Sequence, residues 1–90
     1  MRDYTEEFFR GCVKTLRIVK VLLQSGEPLS KYVIEQRAMV YDSEAVLDRL
    51  AKLGIVKVLD YTVKKYEINR ENRFIKELEN FLEAIGYLAD

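Results

Sequence analysis

Histidine is absent from this chain and cysteine occurs once, at Cys12. Without histidine, the usual base of Ser–His or Cys–His catalysis is missing. One thiol forms no intrachain disulfide, and a zinc site needs several histidine or thiolate ligands. There is no Gly-rich phosphate loop and no carboxylate cluster of evident catalytic purpose. The expectation is a non-enzyme with no cofactor and no metal. What remains is the chemistry of cations and aromatic rings. Tyr32, Tyr41, Tyr61 and Tyr66 could stack on bases or ligands, although partial burial in the core or a hairpin is the commoner fate of such residues. Cys12 falls on the apolar side of the first helical pattern, which predicts a small core residue rather than a redox sensor.

The cations are unevenly placed. Fifteen Lys/Arg balance fifteen Asp/Glu over 90 residues. Residues 10–76 nevertheless hold 14 Lys/Arg against 8 Asp/Glu, while residues 1–9 and 77–90 are acidic. A basic middle with acidic ends is compatible with a binding face for a polyanion. With 49% hydrophobic and 33% charged residues the composition is globular, and the length suits one domain, residues 1–90. No apolar run approaches the ~20 residues that span a bilayer. The first residues lack the basic-then-apolar pattern of a signal peptide. These features predict a cytoplasmic protein with no membrane partner.

Several elements must position those side chains. Apolar residues at Phe9, Cys12, Val13, Leu16, Val19, Leu22 and Leu23 predict one helix starting near Tyr4 or Thr5, with Thr5 as a possible N-cap. Arg10, Lys14, Arg17 and Lys20 form its solvated face. Ser25-Gly26-Glu27-Pro28 stops it, with Gly26 suited to a left-handed cap. Ser30 caps a short second helix through Arg37. Asp42 or Ser43 caps a third, with Val46, Leu47, Leu50 and Leu53 as its apolar stripe and Gly54 as its stop. The period then changes to two, which predicts hairpin strands Val56–Tyr61 and Val63–Ile68 with a turn near Asp60 to Lys64. Asn69 or Asn72 caps a last helix. There Phe74, Leu78, Phe81, Ile85 and Leu88 make a coiled-coil-like seam, widened by Ile75 and Leu82. The seam could fold back on its own domain, but helix one offers only one face and so wide an exposed stripe would be unstable in a monomer, which points to a homodimer.

Leu50-Ala51-Lys52-Leu53-Gly54-Ile55-Val56 and Lys65-Tyr66-Glu67-Ile68-Asn69 carry a resemblance. They look like the end of the recognition helix and the returning wing strand of the small prokaryotic MarR- and ArsR-type regulators. The resemblance covers residues 8–69. The Lys-, Glu-, Val- and Tyr-rich composition looks thermophilic, and small proteins of this kind are abundant in archaea and their viruses, so an archaeal source is expected. The resemblance implies a mainly α (α+β) fold: a winged helix-turn-helix with a two-stranded wing, followed by a C-terminal dimerisation helix at about 71–89.

It also implies sequence-specific binding of double-stranded DNA by a homodimeric transcription regulator. Helix 43–53 would enter the major groove and the 56–68 hairpin would act as wing. The groove-facing positions would be Tyr41, Ser43, Glu44, Arg49 and Lys52. Lys31 would reach phosphate, as would Lys57, Lys64 and Lys65 from the wing. The dimer would use Phe74, Ile75, Leu78, Phe81, Leu82, Ile85 and Leu88. Only Arg49 among the groove candidates can make a bidentate contact to guanine. The pattern departs from the family in its third helix, where Asp42, Glu44 and Asp48 outnumber Arg49 and Lys52, and the paired cysteines of the arsenic repressors are missing. An acidic third helix equally suits a winged-helix adaptor that binds protein and no DNA.

Overall fold

A computed structural model describes residues 2–88, with side chains from Tyr4 to Leu88. The charges expected at Arg2, Asp3 and Asp90 lie outside the described side chains. The order is α1 (Arg2–Phe8), α2 (Val13–Gln24), β1 (Leu29–Ser30), α3 (Lys31–Ala38), α4 (Glu44–Lys52), β2 (Val56–Asp60), β3 (Lys64–Ile68) and α5 (Arg73–Ala84). Among the described residues five helices accompany a three-stranded antiparallel sheet of order β1-β3-β2, an α+β fold. No helix among the described residues is long and apolar enough to cross a membrane.

The single first helix expected from the periodicity is two helices. Gly11 takes φ +98°, a left-handed conformation that a side chain disfavours. It breaks the helix between Phe8 and Val13. Thr5 is no N-cap: it is buried inside α1. Cys12 is not a core residue. It sits exposed at the start of α2, its thiol donating to the Phe9 carbonyl at 3.2 Å.

α2 is the central helix, and it buries Leu16, Ile18, Val19, Leu22 and Leu23. Its β-branched run is helical because it continues that apolar stripe. Gly26 is not the left-handed cap expected there, since its φ is not positive. Arg70 instead donates to the Leu23 carbonyl at 2.9 Å and satisfies the open end of α2. Ser30 caps α3 by accepting from the Val33 N–H. Gly54, at φ +77°, ends α4, and the side-chain amides of Asn69 and Asn72 both donate to its carbonyl, at 2.9 and 3.0 Å. Asn72, not Asn69, caps α5, its Oδ1 accepting from the N–H groups of Phe74 and Ile75.

The hairpin expected from the alternating run is present, Val56 pairing with Ile68 and Asp60 with Lys64. It is not two-stranded, because β1 joins its free edge: Leu29 pairs with Tyr66 and Ser30 with Lys65. The fully buried centre includes Ile18, Leu22, Ile34, Leu47, Ile75, Leu82 and Tyr87. α5 stops at Ala84 rather than near residue 89, and Gly86 takes φ +84° in the turn after it. That turn sends Tyr87 inward, where its hydroxyl donates to Glu6 Oε2 at 2.8 Å. Arg17 donates to both Glu6 oxygens at 3.0 Å, so one carboxylate ties α1, α2 and the C-terminal turn together.

Candidate nucleic-acid interface

β1 ends at Ser30, paired with Lys65; Lys31 and Tyr32 then open α3, while Val63 and Lys64 lead into Lys65 at the start of β3. Lys31, Tyr32, Val63 and Lys64, with Glu44 at the start of α4 and Tyr66 beneath, line one shallow depression. Lys31 Nζ lies 3.7 Å from Glu44 Oε1, an exposed pair that contributes little to stability. Lys64 has no carboxylate partner among the described residues.

The other lysines of the hairpin lie elsewhere. Strand side chains alternate between faces, so Lys57 and Lys65 point to the opposite side of the sheet from Lys64 and Tyr66. Lys57 stands opposite Glu67 on the neighbouring strand. On α4, Leu47 and Leu50 face the core, and Glu44, Asp48, Arg49 and Lys52 are exposed. Arg49 is engaged: its Nη2 donates to Thr15 Oγ1 on α2 at 2.9 Å. Tyr41 is 84% exposed ahead of α4.

Ser43 must be removed from the groove-facing set. It is fully buried, and both its backbone N–H and its hydroxyl donate to Glu35 Oε2, at 2.8 and 2.7 Å. It makes no side-chain cap for α4. These two bonds, with Lys31 and Lys14 nearby, hold the Glu35 carboxyl below the ordinary glutamate range. Asp42 just before it takes φ +51° and Met39 φ +58°, so the connection between α3 and α4 contains two left-handed non-glycine residues. The Glu35–Ser43 pair holds that connection in place.

The expectation of partial burial holds for Tyr66 alone among the four tyrosines. Tyr32, Tyr41 and Tyr61 are exposed. The apolar stripe of α5 is also divided. Ile75 and Leu82 are buried in the chain's own core and cannot face a second chain. Leu78, Ile85 and Leu88 are partly covered against that core, whereas Phe74 and Phe81 are exposed. α1 adds Tyr4 and Phe8, both about three-quarters exposed, and an apolar cleft runs between Phe8 and Phe81.

Sequence reasoning misses the depression shared by Tyr32 and Val63 because β1, which joins that edge of the sheet, has only two residues, too few for a period of two to register. It misses Tyr4 and Phe8 because the break at Gly11, which turns α1 toward α5, lies within an unbroken apolar period. No protein-family model, curated protein or solved structure matches the chain.

Proposed function

We propose that the chain is a winged helix-turn-helix of the MarR/ArsR-like kind that binds double-stranded DNA as a homodimer and regulates transcription. α4 is the recognition helix and lies in the major groove with Glu44, Arg49 and Lys52 toward base edges and Tyr41 at its entrance. The β2–β3 hairpin is the wing. Lys31 and Lys64 neutralise phosphate on the side of α4, and Lys57 and Lys65 on the far side of the wing. Two α4 units one helical turn apart, held by the α1–α5 faces of two chains, suit a two-fold site. Occlusion of a promoter is the simplest regulatory outcome.

The observation that carries this reading is that Lys31 and Lys64 line one depression with Glu44 of the first turn of α4. Like charges brought together on a surface suit an anion between them. Fluorescence anisotropy of a labelled duplex at rising salt tests it. Four phosphate-facing cations, Lys31, Lys57, Lys64 and Lys65, give a log–log salt slope of about −3 to −4 per protomer. Arg49→Ala with Lys52→Ala reduces the affinity for the preferred duplex at least ~tenfold and relaxes base preference, whereas Lys57→Ala with Lys65→Ala reduces the slope by about 2. Affinity unchanged for every duplex refutes the groove assignment.

A second reading, a winged-helix adaptor for protein, draws on the same face. Arg49 is occupied by Thr15 and Lys31 by Glu44, and exposed tyrosines are frequent in protein interfaces. No duplex binding even at low salt would favour it.

A further inference from the structure

The depression beside α4 gathers more than cations. Tyr32, in the first turn of α3, is 72% exposed, and Val63, between β2 and β3, is 56% exposed. Both line this depression together with Lys31 and Lys64. A flat aromatic face next to a paired cation complements one nucleotide, with the base on the ring and the phosphate on the ammonium groups. A base stacked within a duplex presents only its edges to a protein and has no free face for a tyrosine.

We infer that this depression takes one unpaired nucleotide, its base stacked on Tyr32 against Val63 and its phosphate held between Lys31 and Lys64. This rests on the nucleic-acid reading above and narrows it to DNA that carries an extrahelical base. Glu44, at the same rim, accepts a hydrogen bond from an exocyclic amine such as cytosine N4. The site therefore favours an unpaired cytosine over an unpaired thymine.

The test compares a matched duplex with the same duplex carrying one bulged cytosine, by anisotropy, using the wild-type chain, Tyr32→Ala and Tyr32→Phe. Tyr32 is exposed, so neither substitution disturbs the core, and circular dichroism checks that. The expected result is at least ~tenfold tighter binding of the bulged duplex by wild type and by Tyr32→Phe. Tyr32→Ala loses that preference while its affinity for the matched duplex stays within about twofold. The chain has no tryptophan, so quenching of tyrosine emission by the bulged duplex, reduced in Tyr32→Ala, gives an independent signal of stacking. If Tyr32→Ala keeps the preference, or wild type shows none while still binding the matched duplex, the inference falls and the DNA-binding reading stands. If wild type binds neither duplex, both fall.

Discussion

The Glu35 carboxylate accepts two hydrogen bonds from Ser43 and so joins α3 to the first residue before α4. Hydrogen bonds to the ionised form depress a carboxyl pKa, and Glu35 is held below its ordinary value mainly by the Ser43 backbone N–H. A depressed folded pKa means that ionised Glu35 favours the folded chain. The contribution is complete above the ordinary glutamate value of 4.5 and is lost as pH falls through the lower folded value. Thermal unfolding from about pH 3 to 7 should show this acid-side loss, and Glu35→Gln should lower stability at neutral pH and flatten the loss. A variant with the wild-type pH profile would show that the pair does not hold the α3–α4 connection. At the same scale, the sequence supplies residue types without their partners. Arg49 reads as a free cation until its bond to Thr15 is seen, and Ser43 as a groove contact until its burial is seen.

At the scale of elements, the two glycines expected to end helices behave differently. Gly54 adopts φ +77°, and a Cβ there meets only the Asn72 amide at 3.7 Å. The penalty of Gly54→Ala is thus conformational rather than steric, about 1–2 kcal/mol by denaturant unfolding. Gly26 has open space around it and no positive φ, so Gly26→Ala should be neutral or slightly stabilising. A Gly54→Ala chain as stable as wild type would contradict the role given to the left-handed stop. Most elements were legible because each carries its own local signal. Examples are the Ser30 cap, the Leu47–Leu50 stripe, the alternation of the hairpin and the Asn72 cap. The break at Gly11 was not legible, because the apolar period runs through it and a single glycine inside such a pattern is often tolerated.

For the whole molecule, the question is what covers the outer face of α1 and α5. Tyr4, Phe8, Phe74 and Phe81 are each about half to three-quarters exposed. Together they leave on the order of 500 Å² of aromatic surface, near the largest patch a typical monomer shows. A standard interface buries roughly 800 Å² per partner, so this face supplies much of what a second copy needs. Sedimentation velocity should give twice the 10.6 kDa chain mass, and Phe8→Glu with Phe81→Glu should return it to one. Both side chains are exposed, so the double variant keeps its core. A wild-type chain that sediments as a monomer at about 100 μM would remove the dimer from the proposal.

The sequence by itself determined the type of most elements, the Ser30 and Asn72 caps, the Gly54 stop and the absence of histidine. These arise from local periodicity, backbone preference and composition, each written within a few neighbouring residues. Only the tertiary structure decided which side chains meet. The two-residue β1 joins the free edge of the hairpin and brings Leu29 to Tyr66 and Ser30 to Lys65 across more than thirty residues of chain. Glu6 gathers Arg17 and Tyr87 from opposite ends. The α5 stripe divides between Ile75 and Leu82 inside and Phe74 and Phe81 outside, because one helix face is wide enough to meet the core on one flank and solvent on the other. Such pairings depend on register and packing between distant segments, and no local pattern encodes them.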